Sequence, residues 1–119
     1  MKIVLVAEAI QPFRKAIVNA LIRKGYKTLE ATDGAEALRF FDGRCIDLLI
    51  TERNIPAINA MDLIRNIRKM PSYKSIPTLI LSSEVTGEQE DQQVAQRTSW
   101  ITKPIDLERF MRVVEQSVA

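Results

Sequence analysis

Two kinds of segment alternate along the chain: short runs of continuous apolar residues, and stretches in which apolar residues recur at every third or fourth position. The first kind is typical of strands that are buried on both faces, and the second of amphipathic helices. The apolar runs predict strands at residues 2–7, 48–52 and 78–82, and the alternation of segments places two further strands at residues 27–31 and 99–102. Because strands and helices alternate, the pattern predicts an α/β fold in which helices connect parallel strands.

Turn and capping residues locate the helices between these strands. Pro12 suits the first turn of helix one, and Gly25 suits its C-terminal end. Asp33 and Glu36 have the spacing of a capping box at the start of helix two, and Asp106 suits the N-cap of the last helix. The positions predicted to face the core are Phe13, Ile17, Ala20 and Leu21 in helix one, Leu38 and Phe41 in helix two, Met61, Ile64 and Ile67 in helix three, and Leu107, Phe110, Met111, Val114 and Val118 in the last helix.

The segment predicted to form helix four is more polar than the other helices. Between Thr86 and Thr98 its apolar residues are Val94 and Ala95. Helices in proteins are stabilised chiefly by packing an apolar face against the core. We therefore expect helix four to be the most weakly anchored helix of the fold.

The composition is that of one compact globular domain, and we expect residues 1–119 to form a single domain. The formal net charge is +2 and the basic residues are scattered, so charge gives no reason to expect nucleic-acid binding. The single cysteine, Cys45, excludes an internal disulfide and favours a reducing, cytoplasmic location. No apolar stretch approaches the length of a membrane span. The absence of histidine excludes a histidine general base and a Cys/His zinc site.

Four residues with charged or hydroxyl side chains stand at the carboxyl ends of the predicted strands. They are Glu8 after strand one, Glu52 at the end of strand three, Ser82 at the end of strand four, and Lys103 after strand five. Connections between parallel strands are right-handed, and the doubly wound order 2-1-3-4-5, which we expect for this chain, has its ligand crevice at the carboxyl ends of strands one and three. We therefore expect two carboxylates, a hydroxyl and an ammonium group to face one crevice.

This arrangement resembles the receiver domain of response regulators, the CheY-like family. The segment that ends in Glu52 resembles the phosphorylation strand of the family, and Lys103 followed by Pro104 resembles its Lys-Pro pair. The resemblance implies a flavodoxin-like sheet with five helices, and a function in two-component, phosphorelay or chemotaxis-like signalling. It also implies that the position of Glu52 is ordinarily an aspartate that accepts a phosphoryl group, that Ser82 and Lys103 contact the phosphate, and that Trp100 is the switch aromatic.

Two departures from the family pattern predict a site that is not phosphorylated. The family has two adjacent acids after strand one, where this chain has Ala7 and Glu8, and Glu52 is one carbon longer than aspartate. Ala7 offers no side-chain oxygen to magnesium, whose octahedral coordination tolerates misplaced ligands poorly. The remaining ligand positions are Glu8, Glu52 and Asn54, where we expect no metal, and Arg53 is a candidate cation in its place. The chain is thus interpreted as a pseudo-receiver without enzymatic activity or a cofactor.

The resemblance also implies a protein partner. The usual partner surface of receivers comprises helix four, strand five and helix five, which correspond here to the segment that begins at Glu88 and ends at Arg97, to Trp100, and to the last helix. A signalling protein or an output domain is the expected partner, and a homodimer through the same surface is an alternative. No direct contact with nucleic acid or with a membrane is expected.

Two other functions and two simpler residue roles stay open. The first alternative is a conventional receiver that is phosphorylated with magnesium, which requires glutamate to accept phosphate or magnesium to bind despite Ala7. The second is a flavodoxin-like protein with FMN in the same crevice, although the loop from Glu8 to Pro12 lacks the glycines and hydroxyls that cradle phosphate. Ser82 has the alternative role of satisfying backbone groups, and Trp100 that of packing against the core.

Overall fold

The sheet of the computed structural model, which describes residues 1–83 and 92–119, has the predicted topology. Its parallel strands lie in the order β2-β1-β3-β4-β5. The strands are β1 (Ile3–Ala7), β2 (Lys27–Ala31), β3 (Leu48–Glu52), β4 (Thr78–Ser82) and β5 (Thr98–Thr102). The α/β class and the strand order are confirmed. Three strands have the predicted bounds, whereas β1 begins one residue later and β5 one residue earlier than predicted.

Helices cover both faces of this sheet. They are α1 (Gln11–Arg23), α2 (Gly34–Arg39), α3 (Ala60–Arg68), α4 (Gln92–Ala95) and α5 (Leu107–Val118). A 3-10 turn at Pro71–Tyr73, which the apolar pattern did not predict, follows α3. The predicted start of helix four at Glu88 lies outside the described residues. In the part of the chain that the structure describes, no helix is long and apolar enough to cross a membrane.

Local capping explains where the helices begin and end. The Asp33 carboxylate accepts a 2.7 Å hydrogen bond from the N–H of Glu36, as the capping box predicts. The Glu36 carboxylate accepts a 2.8 Å hydrogen bond from the N–H of Thr32, which stands one residue before the N-cap. Asp106 caps α5 by accepting hydrogen bonds from the N–H groups of its first turn. Gly25, which follows α1, has φ 90°, a conformation that glycine adopts at little cost.

Two apolar layers, one on each face of the sheet, form the core. The layer beneath α1 and α5 contains Val4, Val6, Leu48, Ile50, Leu79 and Leu81 from the strands with Ile17, Leu21, Phe110 and Val114 from the helices. The layer beneath α2, α3 and α4 contains Leu5, Leu49 and Ile80 with Ala37, Leu63, Ile64, Ile67 and Val94. Successive strand residues alternate between the layers, which explains why the strands read as continuous apolar runs.

One expectation about core packing needs correction. Leu107 was predicted to face the core, but it is 50% exposed. It is the first residue of α5, and the buried stripe of that helix begins one turn later, at Phe110. Val94, one of the two apolar residues of the predicted helix four, is fully buried, and the expectation that this helix is the most weakly anchored stays a prediction.

Candidate functional site

The carboxyl ends of β1, β3 and β5 bring two carboxylates and one ammonium group together. Lys103, which follows β5, forms an ion pair with Oε2 of Glu52 at the end of β3. The Nζ atom of Lys103 also lies 4.0 Å from Oε2 of Glu8, which follows β1. The side chains of Glu8, Glu52 and Lys103 are 2%, 14% and 23% exposed. These three residues meet because parallel strands in the order 2-1-3-4-5 end at the same edge of the sheet.

The carboxylate of Glu8 is the most enclosed of these groups. Its Oε1 atom accepts a 3.1 Å hydrogen bond from the N–H of Ile10. Its buried Oε2 atom has no hydrogen-bond partner among the described residues, although it faces Lys103. Burial raises the pKa of Glu8, while the hydrogen bond from Ile10 and the positive charge of Lys103 oppose that rise. The negative charge of Glu8 is therefore only partly compensated.

Lys103 is held from several directions. Its Nζ atom lies 4.4 Å from the centre of the Phe13 ring, which is within the range of a cation–π interaction. Its main-chain N–H donates a 2.7 Å hydrogen bond to the carbonyl of Ser82. The peptide bond between Lys103 and Pro104 is cis. The ammonium group itself therefore faces two carboxylates and one aromatic ring.

A second cation lies next to the main chain of Glu8. Arg14 of α1 is 8% exposed, and its guanidinium donates to the main-chain carbonyl of Glu8 at 2.9 Å and to Oε1 of Glu30 at 3.0 Å. Lys15 contacts the other oxygen of Glu30 at 3.0 Å. Burial acts to raise the pKa of Glu30, but hydrogen bonds from Lys15 and Arg14 outweigh it and lower that pKa.

Sequence reasoning gave no role to Phe13 or Glu30 in the crevice. One signal could have located Phe13 and Arg14, since both stand in the first turn of α1 and that turn directly follows the loop after β1. The first turn of a helix that follows a strand lies above the carboxyl end of the sheet. No comparable local signal identifies Glu30, whose contact with Arg14 joins β2 to α1.

Three other predicted positions lie at or near the crevice edge of the sheet. Ser82 ends β4 and is 2% exposed. Ala7 ends β1 and is 1% exposed, so the position where the family has an acid is a buried methyl group. Trp100 is half-buried in β5 and packs against the core layer that contains Val94. The roles of Ser82 and Trp100 as phosphate contact and switch stay predictions.

The loop after β3 carries the two remaining predicted residues. Arg53 is tied by its main chain, since its N–H donates to β4 at 2.8 Å and its carbonyl accepts from the N–H of Ala60 at 3.1 Å. The N–H of Asn54 lies 3.5 Å from Oε1 of Glu52. The interpretation of Arg53 as a cation in place of a metal stays a prediction.

The donor set of the crevice is small. Within residues 1–83 and 92–119, no three Asp, Glu, His or Cys side chains come together in a group that could hold a metal ion. The two crevice carboxylates instead face an ammonium group. The arrangement is thus an internal ion-pair cluster.

Comparison of the sequence with known proteins identifies the family that the sequence motifs resemble. A family model described as the response regulator receiver domain matches residues 4–115. The chain is 35% identical over 82 residues to the chemotaxis protein CheY1 of Helicobacter pylori, a match that covers 67% of this chain and 66% of CheY1. It is 31% identical over 87 residues to the chemotaxis protein CheY-3 of Vibrio cholerae, which covers 72% of this chain and 67% of that protein. The matches thus span about two thirds of the length of these relatives.

Solved structures extend the similarity to nearly the whole chain. The chemotaxis response regulator CheY4 of Vibrio cholerae has a TM-score of 0.88 and 25% sequence identity, with 98% of each chain covered. The receiver domain of the hybrid histidine kinase CckA has a TM-score of 0.81 and 27% identity, and the match covers 98% of this chain and 99% of that one.

Proposed function

This chain belongs to the response-regulator receiver family, and we propose that it is a pseudo-receiver, which signals through protein–protein contacts without being phosphorylated. Family membership makes it a receiver domain of two-component or chemotaxis signalling. The main observation in favour of a pseudo-receiver is the ion pair between Lys103 and Glu52, because the lysine that would contact a phosphoryl group already neutralises the acceptor position.

The composition of the crevice supports the absence of a magnesium-dependent reaction. Magnesium requires near-octahedral oxygen coordination at about 2.0–2.1 Å. The methyl group of Ala7 supplies no ligand, and the carboxylates of Glu8 and Glu52 both face the ammonium group of Lys103. A dication would have to displace Lys103 from both carboxylates. These residues do not fit a magnesium ion.

The length of Glu52 supports the same conclusion for phosphoryl transfer. Its carboxylate reaches further from the backbone than that of aspartate by one C–C bond, about 1.5 Å. Phosphoryl transfer depends on positioning and on neutralisation of charge by metal and lysine. In this crevice the carboxylate of Glu52 pairs with Lys103, and we infer that this ion pair takes up space and counter-charge that a phosphoryl group would need.

We place the partner surface on α4, β5 and α5. Trp100 is half-buried between the core and the surface, and Ala95, Gln96 and Arg97 are exposed beside it. Aromatic and arginine side chains are enriched where proteins bind one another. A signalling protein or an output domain is the partner that we propose, and self-association through the same surface is an outcome to be tested by sedimentation.

Exposure to a small phosphodonor tests the proposal directly. Acetyl phosphate with magnesium, or beryllofluoride, is expected to leave the mass and the Trp100 fluorescence of the chain unchanged. The matched control is the double variant Ala7→Asp with Glu52→Asp, which restores the acid pair and the acceptor and should recover a response, whereas neither single variant should. Stoichiometric phosphorylation of the unaltered chain would instead establish a conventional receiver.

A further inference from the structure

The last residue of α3, Arg68, joins segments that are far apart in the sequence. It is 8% exposed, and Nη1 donates to the carbonyl of Val94 at 3.1 Å. Its Nη2 atom donates to the carbonyl of Ile76 at 2.9 Å and to Oγ1 of Thr78 at 3.2 Å, and lies 3.5 Å from the carbonyl of Arg97. One buried cation therefore bridges α3, the start of β4 and the C-terminal end of α4.

Two of the carbonyls that Arg68 contacts, those of Val94 and Arg97, lie in the last turn of α4 and just after it. The last carbonyls of an α-helix need hydrogen-bond donors from elsewhere, and a positive charge is favourable there. Arg97 has φ 55°, the left-handed conformation that commonly ends a helix, and its carbonyl accepts from the N–H of Thr78 at 3.0 Å. The hydroxyl of Thr98 also contacts the carbonyl of Val94. The hydroxyl oxygens of Thr98 and Thr78 lie 2.8 Å apart.

A buried guanidinium carries an energetic cost. Burial lowers the pKa of Arg68, and the nearby charge of Arg97 lowers it further. A buried charge is retained only where hydrogen bonds compensate its desolvation. The planar fork of arginine can reach several acceptors at once, which lysine cannot. Through its hydrogen bonds, the guanidinium group of Arg68 holds the end of α4 against α3 and β4.

We propose that Arg68 is a positioning residue for the partner surface, because it fixes the C-terminal end of α4 over the core layer on which Val94 and Trp100 pack. A partner that contacts α4 then meets a helix whose end is already placed, and any rearrangement of α4 takes place about this fixed end. This inference rests on the proposed function in one respect, since it takes α4 and Trp100 as part of the partner surface.

Hydrogen exchange of the isolated chain, followed by mass spectrometry, tests the anchor. Arg68→Lys keeps the charge but loses the fork, and hydrogen bonds to charged groups are strong enough that amides of residues 94–98 should exchange about tenfold faster or more. The amides of α5 should be unchanged. Arg65→Lys is the matched control, because Arg65 lies one turn earlier in α3 and pairs with the exposed Asp62 at 2.9 Å. That control should leave the exchange at residues 94–98 unaltered.

A second readout and a second variant keep the test decisive. Trp100 is the single tryptophan, and its quenching by acrylamide should increase in Arg68→Lys but not in Arg65→Lys. If substitution of Arg68 prevents folding, Thr98→Val removes only the hydroxyl that contacts Val94 and should accelerate exchange at residues 94–98 in the same way. Unchanged local exchange in Arg68→Lys, or equal acceleration in α5, would overturn the anchor. Neither result bears on phosphorylation, and a chain that is phosphorylated by acetyl phosphate could still retain the anchor.

Discussion

The guanidinium of Arg14 donates a 2.9 Å hydrogen bond to the main-chain carbonyl of Glu8. This contact places a buried positive charge of α1 next to the main chain of Glu8, while the ammonium group of Lys103 lies 4.0 Å from the side-chain carboxylate of Glu8. Arg14 is itself paired with Glu30 at 3.0 Å, so much of its charge is balanced by β2. The crevice therefore combines an enclosed carboxylate, Glu8, with cations that are shared with other acids. The stability of the fold and the ligands that the crevice accepts should therefore depend on how Lys103 and Arg14 are shared among these acids.

Magnesium binding is the first property to measure. Because Ala7 supplies no ligand and Lys103 faces both carboxylates, we expect no measurable binding at millimolar magnesium. Titration with magnesium, followed by Trp100 fluorescence and by calorimetry, checks this expectation. The Ala7→Asp, Glu52→Asp double variant is the positive control. A saturable signal from the unaltered chain with a submillimolar midpoint would contradict the proposed site.

Removal of the shared ammonium group should destabilise the fold in a pH-dependent way. In Lys103→Met the carboxylates of Glu8 and Glu52 face each other without a cation, and we expect a loss of about 2 kcal/mol in the free energy of unfolding at pH 7, between the values for exposed and buried ion pairs. The loss should shrink toward pH 5, where one carboxylate takes up a proton. Urea denaturation between pH 5 and 8 measures it.

Lys15 provides the control for that experiment. Its side chain is 48% exposed and pairs with Glu30, so Lys15→Met should cost only about 0.5 kcal/mol, as is typical of surface pairs. If Lys103→Met kept the denaturation midpoint of the parent from pH 5 to 8, the contacts of Lys103 with the two carboxylates would not form in solution.

The raised pKa of Glu8 predicts a second pH dependence. A carboxyl group with a raised pKa binds its proton more readily in the folded state, so its contribution lowers stability as the pH rises above the ordinary value of 4.5 toward the folded value. Glu8→Gln removes this contribution. The free energy of unfolding of the variant minus that of the parent should therefore increase between pH 4.5 and pH 7.

Glu30 is the matched control because its pKa is shifted in the other direction. Its contribution to stability is present above the ordinary value of 4.5 and is lost as the pH falls through the folded value. For Glu30→Gln the difference between variant and parent should therefore become more negative as the pH rises. Parallel curves for the two variants would show that burial does not dominate at Glu8.

The loop after β3 contains a strained backbone conformation, and a substitution can relieve the strain. Ala57 is exposed and has φ 72°, in the left-handed region that residues with a Cβ atom adopt at a cost. Ala57→Gly should raise the free energy of unfolding by about 0.5–1 kcal/mol, because relief of that cost exceeds the added entropy of glycine. Ala35→Gly, within α2, should lower it by a similar amount. Equal signs for the two substitutions, measured by urea denaturation, would contradict the assigned backbone conformation of Ala57.

The elements with strong local signals were predictable from the sequence. Residues 48–52 and 78–82 read as strands because both of their faces are buried, and the alternation with amphipathic helices leaves few topologies once connections are right-handed. From that topology alone, Glu8, Glu52 and Lys103 were expected at one edge of the sheet, and the structure brings them together. The family follows from the same residues.

The contacts that depend on the relative placement of distant side chains were not predictable. The stacking of Lys103 on Phe13, the pairing of Arg14 with Glu30, and the bridge from Arg68 to Val94 join residues 16 to 90 positions apart. Helical and strand periods report which face of an element is buried, but not which polar group on a neighbouring element a buried guanidinium or ammonium will reach. The sequence by itself determined the strands, their order and the edge that carries the acids. Only the tertiary structure decided which aromatic ring covers Lys103 and which groups Arg14 and Arg68 contact, because desolvation and hydrogen-bond geometry act between elements that the local pattern describes separately.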